Sequence, residues 1–91
     1  MHCLPLRLQP GADLRASLEA MAQADDLSAF VVCGIGSLAG ARVRLAGADS
    51  QTTVPGDVEI LSLSGTLTPD GAHLHMAIAD AQGRVIGGHV C

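Results

Sequence analysis

Apolar residues recur at every second position in several stretches of this chain, and at helical spacing in one. In residues 3–9, Leu4, Leu6 and Leu8 alternate with Pro5, Arg7 and Gln9. That is the period of a β-strand. Pro5 puts the strand at an edge or at its own beginning, and Pro10-Gly11 ends it. Residues 13–25 change period: Leu14, Leu18 and Met21 fall at i, i+4 and i+7, with alanines between them. This predicts an amphipathic helix, with Asp13 as its cap or first-turn acid. Arg15 and Glu19 lie on its outer face in the weaker i,i+4 order and add little. Asp25-Asp26 closes it without a good C-cap, so a frayed last turn is expected.

Ala29-Phe30-Val31-Val32-Cys33-Gly34-Ile35 is a continuous apolar run. Such a run suits a strand covered on both faces, with Cys33 as a small buried hydrophobe. Gly34-Ile35-Gly36-Ser37 resembles part of a phosphate loop. No helix pattern follows it, so the glycines read as a bend or a close backbone approach. Arg42-Val43-Arg44-Leu45 alternates again, with both arginines outward. Residues 47–57 are polar and contain the turn signal Pro55-Gly56. The longest strand is 58–67, with Leu61, Leu63 and Leu67 on one face and Ser62, Ser64 and Thr66 on the other. Pro69-Asp70-Gly71 turns the chain into another strand from His73. Several strands joined mostly by short turns, with one helix, predict an α+β fold: an antiparallel β-sheet with the helix packed on one face.

The last strands place candidate chemistry. In residues 73–79, Leu74, Met76 and Ile78 form a core face, which leaves His73 and His75 together on the opposite one. Asp80-Ala81-Gln82-Gly83-Arg84 matches a three-residue hairpin loop with glycine at its left-handed position. That loop pairs Ala77 with Gly87, His75 with His89 and His73 with Cys91. A two-residue loop would shift the pairing by one and turn His89 away. In the predicted register His73, His75 and His89 share one patch. Three imidazoles suit Zn²⁺ with a fourth position open. Gly87 and Gly88 remove bulk beside them, Cys91 is a possible neighbour, and Glu59 is the nearest plausible carboxylate. Solvated histidines on an exposed strand are the plain alternative.

Composition narrows the classes. The chain has 91 residues, enough for one domain spanning 1–91, and 48% of them are hydrophobic. A core this thin favours burial of apolar surface against further copies. The formal charge is −4, with five arginines and no lysine, which opposes generic nucleic-acid binding. No stretch approaches the ~20 apolar residues of a membrane span. Met1-His2-Cys3-Leu4-Pro5 has no secretion pattern. Cys3, Cys33 and Cys91 are odd in number and widely spaced, so reduced thiols and a cytoplasmic location are expected.

Several segments together resemble the PPC domain, the plants and prokaryotes conserved domain. They are Pro10-Gly11-Ala12-Asp13-Leu14, Gly34-Ile35-Gly36-Ser37-Leu38, Glu59-Ile60-Leu61-Ser62-Leu63-Ser64-Gly65, His73-Leu74-His75 and Gly83-Arg84-Val85-Ile86-Gly87-Gly88-His89. The resemblance implies an antiparallel α+β domain assembled as a homotrimer, with His73, His75 and His89 as its candidate metal positions. Stand-alone prokaryotic members often carry a DNA-binding label, which comes from plant relatives with a separate AT-hook. This chain has no hook. Members of the family continue past Gly-Gly-His with a Gly-Cys element and further strands, whereas this sequence ends at Cys91. Either the sequence is truncated or this member is unusually short, and a lost strand would expose a sheet edge.

Three functions follow as expectations. The first is a homo-oligomeric binding or regulatory module with a metal or small-ligand site at the histidines. The second is a zinc-dependent hydrolase or lyase, which would need a general base such as Glu59. The third is a DNA-binding protein, against the charge.

Overall fold

The computed structural model describes residues 2–91. Met1, where the segment read for a secretion signal begins, lies outside them. The order of elements is α1 (Leu14–Asp25), β1 (Ala29–Val31), β2 (Gly36–Leu38), β3 (Ala41–Arg44), β4 (Thr52–Val54), β5 (Val58–Thr68), β6 (Gly71–Ala79) and β7 (Val85–Val90). Among the described residues the strands form one antiparallel sheet in the order β1-β5-β6-β7-β3-β4, and β2 pairs with the other half of β5. This is the expected α+β architecture, one helix on an antiparallel sheet.

The helix begins where Asp13 accepts a hydrogen bond from the Ala16 N–H at 2.8 Å. That bond satisfies one of the free donors of the first turn. Leu18 and Ala22 are buried against the sheet, and Leu14 and Met21 pack beside them. The helix end differs from expectation. Asp26 adopts a left-handed conformation (φ 49°), and the Leu27 N–H reaches the Ala22 carbonyl at 2.9 Å. Aspartate tolerates this geometry, so the end is capped rather than left to fray. Arg15 and Glu19 are not on an outer face either. Glu19 accepts from the Ala72 N–H at 2.9 Å, and Arg15 donates to the Val90 carbonyl at 3.1 Å, so both tie the helix to the sheet.

The core lies between α1 and the central strands, where Leu67, Leu74, Ile78, Val43 and Val58 are almost wholly buried. β5 corrects the simple alternation. A bulge between Ile60 and Ser62 shifts its phase, so Val58 and Ile60 are buried before it and Leu63 and Leu67 after it. Leu61 falls at the bulge and is exposed instead of joining Leu63 and Leu67.

Two other expected strands are absent or altered. Residues 3–9 form no strand, because no neighbour pairs with them among the described residues, and Leu4, Leu6 and Leu8 are exposed. The 29–35 run is not covered on both faces. It follows the outer edge of β5, pairs only through Ala29–Val31, and then loops over Leu63 at Gly34. Phe30, Val32 and Ile35 are therefore 79%, 81% and 88% exposed, and Cys33 is exposed too. The polar 47–57 stretch contains β4, a short edge strand that its hydrophobic pattern did not announce. Among the described residues no helix is long and apolar enough to cross a membrane.

Candidate metal centre

The β6–β7 hairpin forms in the predicted register. The Asp80 N–H donates to the Arg84 carbonyl at 2.9 Å, and the Gly83 N–H donates to the Asp80 carbonyl at 3.0 Å. Gly83 has φ 78°, the left-handed position such a loop requires. The Asp80 carboxylate accepts from the backbone N–H groups of Arg84 and Gln82 and from the Arg84 guanidinium. The Arg84 backbone donor leads in holding its carboxyl below the ordinary 3.8. From this turn the ladder runs Ala79 to Val85, Ala77 to Gly87 and His75 to His89 and ends there, without the expected His73–Cys91 pair, because the Cys91 N–H goes to the Arg42 carbonyl of β3.

The register gathers the three imidazoles. Ring centroids are 4.9 Å apart for His73–His89, 5.0 Å for His73–His75 and 5.8 Å for His75–His89. One nitrogen from each lies within 4.8 Å of the others. Nitrogens on one tetrahedral zinc are ~3.3 Å apart, a gap that rotation of surface imidazoles spans. His73 and His75 are exposed and His89 is half-buried. Burial, then the nearby Arg44 guanidinium, His73, Arg15 and His75, push the His89 pKa below the ordinary 6.5. That direction favours the neutral form, which is the form a metal ligand needs. In number and chemistry, three converging imidazole nitrogens are a donor set able to hold a metal ion.

The other expected neighbours divide. Gly87 faces Ala77, and a β-carbon there would lie 3.2 Å from the Met76 carbonyl oxygen, so the expected open space is a close approach of β7 to β6. Gly88 serves a different contact: a β-carbon there would lie 2.6 Å from the Arg44 carbonyl oxygen, so glycine lets β7 close on β3. Cys91 stands past the end of β7, half-buried, its N–H donating to the Arg42 carbonyl at 3.1 Å. It is outside the group of converging ligand atoms. Glu59 is not brought to the histidines. It pairs with Ala79, four residues along β6 from His75, or ~13 Å at strand rise.

Sequence reasoning missed the surroundings supplied by β3 and β5. Arg44 pairs directly with His89, Ser64 with His75 and Thr66 with His73. The serines and threonine were assigned a face, but nothing local told which strand lay beside them. The adjacency of β3 and β7 joins residues 45 positions apart and left no local signal.

The chain matches the Plants and Prokaryotes Conserved (PCC) domain over residues 1–91. It is 52% identical over 91 residues to the bifunctional protein GlmU of Synechococcus sp. (strain JA-3-3Ab), a match covering 99% of this chain and 15% of that protein. The chain thus spans a small part of the curated relatives it matches. Its fold superposes on a hypothetical protein of Salmonella enterica with a TM-score of 0.87 and 40% identity, over 94% of this chain and 63% of the other. It also superposes on a protein of Archaeoglobus fulgidus described as metal-containing, with a TM-score of 0.79 and 27% identity, over 94% and 66% of the two chains.

Proposed function

The chain belongs to the Plants and Prokaryotes Conserved domain family, and from that premise we propose that it is a self-associating binding module whose His73, His75 and His89 hold a divalent metal ion. The observation that carries this reading is the convergence of one nitrogen from each histidine within 4.8 Å. The archaeal relative described as metal-containing supports it. Zn²⁺ is the ion to test first, since neutral imidazoles suit it and a three-histidine set leaves a position for a further ligand. When bound, the ion supplies a Lewis-acidic coordination position. The protein's part is to hold the rings on two paired strands.

The experiment is metal analysis of the purified protein, followed by melting curves with and without Zn²⁺. Added Zn²⁺ raises the melting temperature by linkage, and His75→Ala removes that rise. An equal rise in wild type and variant sinks the metal reading.

The proposed self-association, with a homotrimer as the state to test, draws on the exposed strip of Phe30, Val32 and Ile35. Large contiguous apolar surface is uncommon on monomers. Phe30→Ser lowers the mass in solution to that of one chain; an unchanged mass removes the strip from the account. A hydrolytic reading gains nothing from the geometry, because Glu59 stands four residues along the sheet. A DNA-binding reading meets a formal charge of −4.

A further inference from the structure

The half-buried side of His89 opens on a second group of polar residues. A cavity of about 360 Å³ lies at the end of β7, lined by Arg15, Arg44, Asp49, Ser50, Gln51, His89 and Cys91. It is an open concavity, with Arg44, Asp49, Ser50 and Gln51 exposed and Arg15, His89 and Cys91 half-buried. Arg15 is held there by its bond to the Val90 carbonyl at 3.1 Å and by Glu19, whose carboxylate oxygen lies 3.5 Å from Nε. Glu19 is fixed in turn by the Ala72 N–H. A guanidinium has five N–H donors, so several of Arg15's remain free in a pre-set orientation.

Arg44 forms no ion pair and no side-chain hydrogen bond among the described residues. Asp49 lies on the same rim without pairing either guanidinium. The Ser50 hydroxyl and Gln51 amide also have no protein partner there. Two guanidinium forks and two neutral polar groups share the concavity with the single Asp49 carboxylate, which leaves it net cationic toward an anionic group with several acceptor oxygens.

We propose that this cavity binds the carboxylate or phosphate group of a small ligand, with Arg15 and Arg44 as its cationic contacts. His89 is a wall of both this cavity and the histidine cluster, so the rest of the ligand extends toward the position left open on the metal. That extension rests on the metal reading; the anion site itself does not. The cavity holds one small group, and the chain's acidic surface gives a polyanion no continuous track.

The test uses the ¹⁵N-labelled full chain, stripped of metal with EDTA and titrated at constant ionic strength with inorganic phosphate and, separately, acetate. The backbone amides of Arg44, Ser50, Gln51 and Cys91 should shift saturably with at least one of the two. Arg44→Gln weakens that binding about tenfold, the loss of one charge-assisted contact. Arg42→Gln, on the same strand but outside the lining, leaves it unchanged. Tighter phosphate assigns the group as phosphate, and tighter acetate as carboxylate. No saturable shift with either anion overturns the proposal, as does an equal loss in Arg42→Gln and Arg44→Gln. Arg44 is exposed and uncommitted, and the amide spectrum of each free variant reports its fold. Because the titration is done without metal, its failure leaves the metal reading standing. Failure of the metal reading with intact anion binding removes only the extension.

Discussion

Residues 4–8 and residues 73–79 carry nearly the same alternation of apolar and polar side chains, yet only the second is a strand. Leu74, Met76 and Ile78 are buried, whereas Leu4, Leu6 and Leu8 are 63%, 49% and 39% exposed. The difference lies in the neighbours. β6 has a hairpin partner five residues away, locked by Asp80 and Gly83, and β5 on its other side. Residues 3–9 have no paired strand among the described residues. Alternation specifies which side chains would share a face. It does not supply the hydrogen-bonding partner that makes the face.

Leu74→Ala would break the contrast from the buried side. Leu74 is 1% exposed, so its truncation should cost ~2–5 kcal/mol in denaturant unfolding. A cost similar to that of a surface change would mean that the β6 face is not the core. Gly88→Ala tests the join between the hairpin and the rest of the sheet. Its β-carbon meets the Arg44 carbonyl oxygen, so stability should fall by ~1–3 kcal/mol. The Zn²⁺-dependent rise in melting temperature should shrink with it. A rise as large as wild type would show that His89 is placed by the hairpin alone.

A pH series gives a smaller effect with a defined sign. His89 has a folded pKa below its ordinary 6.5, so folding opposes its protonation. Its contribution to stability is complete above about 6.5 and is lost as pH falls through the depressed folded value. In metal-free protein, melting temperature should decline over that window, and His89→Gln should flatten the decline. An identical slope in the variant would place the titration elsewhere. The smallest effect is expected from Leu6→Ser, within about ±0.5 kcal/mol for an exposed side chain. A larger loss would show that the N-terminal leucines are covered in the assembled protein, and would narrow the contrast with β6.

The candidate site was the most legible part of the molecule. Its register depends on five consecutive residues, Asp80–Arg84, and on a period of two, and both are local. Once the loop has three residues, His75 must oppose His89 and His73 must share their face. The helix was legible for the same reason, since Asp13 and the spacing of Leu14, Leu18 and Met21 act within a few turns. Its end was less so, because a left-handed aspartate at Asp26 has no composition signal as clear as glycine.

The sequence by itself determined the periods, the turn at 80–84 and the convergence of three imidazoles, because each follows from backbone geometry over a few residues. Tertiary structure alone decided the rest. It set the apolar 29–35 run at an edge, where Phe30 and Cys33 face outward, since hydrophobicity does not say how many neighbours a strand will have. It shifted the phase of β5 at Leu61 through a bulge that only pairing reveals. And it laid β3 beside β7, bringing Arg44 against His89 and Arg15 to the end of the same strand. That pairing turns three histidines on a surface into one wall of a charged cavity, through contacts too distant in sequence to leave a local pattern.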